Sequence, residues 1–90
     1  MDRQPRLEMK RYYMAISFVL INAAPAHEHE IHHKLSKIQE IIELHPLFGE
    51  YDLIAKIEAV SFENIGDIVV NKIRVIEGII DTKTLAGTKF

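Results

Sequence analysis

Four consecutive residues, Gly49, Glu50, Tyr51 and Asp52, are of types that suit the recognition of a small charged ligand. Glycine carries no Cβ, so main-chain N–H groups can approach a carboxylate closely. An aspartate beside it can pair with an ammonium through charge-assisted hydrogen bonds. Farther along, Thr82 and Thr84 alternate with Asp81 and Lys83. In a strand their hydroxyls therefore share one face and complete a set of polar contacts. The same residues have a plainer reading, in which Tyr51 packs, Asp52 caps a turn and the threonines favour a strand. Spacing alone leaves both open.

Other constellations carry less. His27, His29, His32, His33 and His45 suggest a metal, and His29 with His33 lies at i, i+4. The order is H-E-I-H-H rather than H-E-x-x-H, and no cysteine assists, so a solvated helix face is the expected reading and no metal or other cofactor is assigned. Partial protonation near pH 6 can still act on assembly. Glu50 and Asp52 form a carboxylate pair without a nucleophile or base beside them, which argues against acid–base catalysis and against an enzyme.

Ninety residues make one domain, and a chain of that size buries only about two-thirds of its unfolded surface. A hydrophobic fraction of 48% is high for it and suggests apolar surface given to a partner. Charge is uneven. Residues 1–13 hold four basic and two acidic side chains, a net of +2, so with the whole chain at −2 the remainder carries −4. A mildly acidic domain makes few of the phosphate contacts that dominate nucleic-acid affinity, so direct nucleic-acid binding is not expected. The absence of cysteine excludes disulfides, thiolate zinc sites and cysteine nucleophiles, and fits a cytoplasmic protein. KRYYMAISFVLINAAPA looks superficially like a secretion signal, but Asn22 interrupts the apolar run. The run is also too short to span a bilayer, so no membrane partner is expected.

The elements that must position the candidates follow from periodicity. AISFVLI (15–21) is a continuous run of strand formers, read as a strand buried on both faces. Pro25 suits the first turn of a helix, and Ile31, Leu35 and Ile38 give an amphipathic helix over 26–39. IIELHPLF (41–48) is a second strand, placed at a sheet edge because Pro46 donates nothing to a ladder. Gly49 at the first turn position permits a type II′ hairpin into a third strand over 52–59. Ser61 is a good N-cap for a second helix whose stripe runs through Phe62, Ile65, Ile68 or Val69, Ile73 and Ile76, with Gly78 ending it. IIDTKTL (79–85) is the fourth strand, with Gly87 starting a short tail.

The order β-α-β-β-α-β predicts an α+β ferredoxin-like plait with both helices on one face of an antiparallel sheet. In that topology the first strand is central and cannot be a removable leader. Ile16, Phe18 and Leu20 then point opposite to Val19 and Ile21, and two helices cover only one face. Leaving several such side chains in water forfeits several kcal/mol at about 25 cal/mol per Å². A second subunit is the expected cover.

LINAAPAHEHEIHHKL, HPLFGEYDLIAKIEA and IVVNKIRVIEGIIDTKTL, in that order, resemble the effector-binding domain of the Lrp/AsnC (feast/famine) transcription regulators, an αβ-plait called the RAM module. The resemblance covers about residues 15–90. It implies domain bounds of 14–90 behind an arm of residues 1–13, and a dimer whose sheets face each other. It also implies assembly into rings such as octamers or decamers, and an amino acid bound where dimers meet. Gly49, Glu50, Tyr51, Asp52, Thr82 and Thr84 become the expected ligand-binding residues. Full-length members place a helix-turn-helix before the plait, and thirteen residues are too few for its three helices. The expectation is therefore a stand-alone sensor module that modulates transcription through assembly, with full-length Lrp-type regulators as candidate partners. Two rivals are a small dimeric plait enzyme resembling the antibiotic-biosynthesis monooxygenases, and a purely structural oligomer.

Overall fold

The structure is a computed structural model in which residues 14–87 are described. The expected arm, residues 1–13, lies outside the described residues. Its elements are β1 (Ala15–Ala23), α1 (Glu28–Leu35), β2 (Ile41–Pro46), β3 (Leu53–Ala59), α2 (Phe62–Ile68) and β4 (Ile79–Ala86). The four strands form one sheet in the order β2-β3-β1-β4, and every neighbouring pair is antiparallel. This is the expected ferredoxin-like plait, with β1 and β3 central. Pro46 ends an edge strand, where its missing N–H breaks no ladder.

Alternation divides β1 between the two faces. Ser17, Val19, Ile21 and Ala23 are buried, and they meet Leu53, Ala55, Ile57 and Ala59 of β3 in a core shared with Ile31, Leu35, Ile65, Ile68, Val69 and Ile73. Ile16, Phe18 and Leu20 face away and stay partly exposed, so within one chain β1 is buried on one face and not on two. Register places Phe18 between Lys56 and Leu85, and Leu20 between Ile54 and Lys83. The Lys56 ammonium stands 5.9 Å from the Phe18 ring centre, within cation–π range, and 3.5 Å from Glu43. The helix-free face thus interleaves apolar side chains with charged ones.

The first helix is shorter than the expected 26–39. Ala26 has φ +71°, a left-handed residue that no α-helix includes, so Pro25 falls in the preceding turn and the helix starts at Glu28. After Leu35 the bonding tightens to the i→i−3 pattern, in which Lys37 N–H donates to Lys34 and Ile38 N–H to Leu35. Ile38 still packs on the core, from a turn rather than from the helix.

The second helix begins as expected. The Ser61 side chain accepts the Asn64 N–H at 3.1 Å. It then widens into a π turn over Val69–Ile73, where Arg74 N–H donates to the Val69 carbonyl five residues back. A strict α-helical phase running through Ile65 and Ile68 would carry Lys72 toward the core. The inserted residue advances the phase by one, so that Ile73 is buried and Lys72 reaches Glu40 instead. Arg74, not Gly78, caps this element. Gly78 acts elsewhere. With φ +99° it brings its carbonyl to the Ala24 N–H at 2.7 Å, and a Cβ there would lie 2.9 Å from His27.

Candidate ligand-binding loop

The β2–β3 connection is not the expected two-residue type II′ turn. Leu47 N–H donates to the Asp52 carbonyl at 2.8 Å, which leaves Phe48 to Tyr51 as a four-residue loop. The strands accordingly stop at Pro46 and start at Leu53, inside the expected 41–48 and 52–59. Gly49 adopts φ +138°, which side-chain-bearing residues rarely reach, with open space where a Cβ would point.

Asp52 fixes the loop to the sheet. Its N–H donates to the Ile21 carbonyl at 2.9 Å, and its Oδ2 accepts the Ala23 N–H at 2.7 Å. The capping role is therefore real, although the cap is on β1 across the sheet rather than on the turn itself. Among the described residues nothing donates to Oδ1. Nor do the main-chain N–H groups of Phe48, Gly49, Glu50 and Tyr51 donate to any described residue. One carboxylate oxygen and the amide donors of the four preceding residues are thus left without partners among the described residues. That combination suits an ammonium and a carboxylate on one small molecule.

Thr82 and Thr84 stand apart from this loop. They pair with Ile21 and Val19 and share the helix face of edge strand β4, Thr82 half-buried and Thr84 exposed. β1 separates them from β3, a lateral distance of about 10 Å for two strand spacings. One chain does not gather all six candidates around a single small ligand. Glu50 sits exposed at the loop tip, and Tyr51 is half-buried.

Most of the histidines are solvated, while the Nδ1 of His27 is buried without a hydrogen-bond partner among the described residues. His29, His32 and His33 are exposed on α1, His27 precedes it 3.8 Å from Glu30, and His45 lies on β2 at 3.3 Å from Glu43. Among the described residues no three potential ligands converge as a metal site would require.

A groove of about 350 Å³ opens at the far end of the sheet, lined in part by Met14, Val60, Asn64, Asp67 and Ile68. Across it Lys72 donates to both oxygens of Glu40, at 3.1 and 2.9 Å, and that hydrogen bond holds the Glu40 carboxyl below its usual pKa. The His45 hydrogen bond, with the Lys56 charge second, does the same for Glu43. Sequence reading missed the Glu40–Lys72 pair, because its partners are 32 residues apart and only the π turn aims Lys72.

Comparison with known proteins places this geometry. The family model described as the Lrp/AsnC ligand binding domain matches residues 16–87, from the start of β1 to the end of β4. The chain belongs to the Lrp/AsnC family. This Lrp/AsnC domain is 35% identical, over 74 residues, to an uncharacterized HTH-type transcriptional regulator of Pyrococcus furiosus, a match covering 79% of this chain and 49% of that one. It is 30% identical over 77 residues to the HTH-type transcriptional regulator FL11 of the same organism, covering 86% and 50%. The chain spans about half the length of these curated relatives. Among solved structures, FFRP-DM1 superposes with a TM-score of 0.80 at 32% identity, covering 83% of this chain and all of that one. A protein from Thermus thermophilus gives 0.81 at 26%, covering 86% and 96%. Among the described residues no helix of this Lrp/AsnC domain is long and apolar enough to cross a membrane.

Proposed function

We propose that this Lrp/AsnC domain is an amino-acid sensor whose ligand site is completed where copies of the chain meet. The observation that carries the reading is the Phe48–Tyr51 loop, whose open amide donors lie beside an Asp52 carboxylate already oriented by Ala23. Donors for a carboxylate next to an acceptor for an ammonium match the part common to all amino acids. Oriented groups of this kind bind with less ordering cost than free ones.

The need for a second copy has two supports. The loop lies on the surface, away from the groove beside Met14, Val60 and Asn64 at the other end of the sheet. Thr82 and Thr84 add to the site only if another copy brings them to the loop. The face bearing Phe18, Leu20, Ile54 and Leu85 supplies the dimer contact, and each such side chain fully buried is worth about 1.5–3 kcal/mol. Dimers then join into rings of eight or ten subunits. A ligand that binds only the assembled state shifts the population toward it, by mass action. Output passes through protein contact, with full-length Lrp-type regulators as partners, since a domain of net −4 is unsuited to hold phosphates. The named relatives are transcriptional regulators, which favours this reading over an enzyme.

Calorimetric titration with each of the twenty amino acids tests the proposal. Heat from at least one of them, with a matching change in assembly, is expected. Silence from all twenty contradicts it.

A further inference from the structure

We infer that the amino acid taken by this loop has an apolar side chain and that Phe48 selects it, an inference that rests on the amino-acid reading above. Phe48 occupies the loop tip directly before Gly49, and its relative exposure of 106% means that no part of its own domain covers the ring. Leu47 beside it is 40% exposed. The base of the loop is pinned by the Leu47–Asp52, Asp52–Ile21 and Asp52–Ala23 hydrogen bonds, so the tip stands out from the sheet on a fixed stem. The largest apolar surface of the loop is thus held next to the amide donors assigned to the ligand carboxylate.

An amino acid held by its carboxylate and ammonium turns its side chain away from both polar anchors. Apolar side-chain surface gains in proportion to the area it shares with the ring. Two charged rivals fare worse. An acidic side chain meets the charges of Glu50 and Asp52. A basic one is attracted by Glu50, but that residue is exposed, and ion pairs in water contribute little. The ring and the side chain lying on it leave water together when a second copy closes over the loop. The ligand class is therefore aliphatic, thioether or aromatic amino acids.

The test is calorimetric titration of the intact chain and of Phe48→Ala and Phe48→Leu, with leucine, methionine and phenylalanine against serine, aspartate and lysine. Light scattering is recorded on the same samples, and circular dichroism checks that each variant is folded. The expected result is apolar ligands binding at least about tenfold more tightly than polar ones. Phe48→Ala should remove about tenfold of the apolar affinity, and Phe48→Leu should retain most of it. A polar or charged amino acid binding as tightly as the best apolar one overturns the inference and leaves the sensor reading standing. So does unchanged apolar affinity in Phe48→Ala. Silence from every amino acid removes the sensor reading, and this inference with it.

Discussion

The Asp52 carboxylate and the Ala23 N–H, 29 residues apart in the chain, meet at 2.7 Å and tie the entry of β3 to the end of β1. One oxygen is spent on structure and the other has no hydrogen-bond donor among the described residues, so under the proposed function one residue serves both fold and ligand. The two roles separate by substitution. Asp52→Asn keeps an oxygen to accept the Ala23 N–H but loses the charge. It should lose amino-acid binding with little change in the unfolding midpoint. Asp52→Ala should lose binding and also about 1–2 kcal/mol of stability, by stranding a partly buried N–H. Parallel urea melts and titrations read both. An Asn variant that binds as the parent does would show that the charge is unused.

Gly78 is held by its surroundings on two counts, φ +99° and the nearness of His27. Gly78→Ala should destabilise the domain by about 1–3 kcal/mol, through left-handed strain and displacement of the His27 ring. Gly49→Ala meets open space at its Cβ and should cost less, at the low end of that range, with its main effect on ligand binding. Equal midpoints for Gly78→Ala and the parent in urea would remove this role.

The plait was legible because its evidence is long-range in pattern but local in reading. Alternation through 53–59, the Pro46 edge and the Ser61 cap each report their own surroundings. The misses have a common physical form. Ala26 in a left-handed conformation, the π turn at Val69 and the four-residue loop after Leu47 are each departures that residue propensity does not mark. The candidate site was half legible. Gly49 and Asp52 announced a turn with chemistry, whereas Phe48 as its most exposed side chain, and the wide gap to Thr82, come from geometry that no spacing encodes.

Glu40 and Lys72 make a prediction about pH. The lysine lowers the Glu40 pKa, so the pair's contribution is fully present above the ordinary glutamate value of about 4.3. It is lost as pH falls through the lower folded value. Because Lys72 is half-exposed, screening limits that contribution to about 0.5 kcal/mol. Lys72→Met should therefore lower stability slightly at pH 7 and by a smaller amount at pH 3. Denaturant midpoints at the two pH values check it, and a larger loss at pH 3 would reverse the sign.

The helix-free face offers a direct handle on the proposed dimer. Leu20 sits at its centre between Ile54 and Lys83, half in water within one chain. Leu20→Lys should dissociate the proposed dimer, because a second ammonium beside Lys83 is costly in a buried interface and cheap on a free surface. Sedimentation at micromolar concentration reads the change. A variant that remains dimeric would place the contact elsewhere.

The particle mass in solution at micromolar concentration, with and without a mixture of the twenty amino acids, bears most directly on whether the site forms between copies. A dimer or larger ring whose mass or population shifts when amino acids are added is the predicted result. A folded monomer whose mass stays the same under both conditions would contradict it.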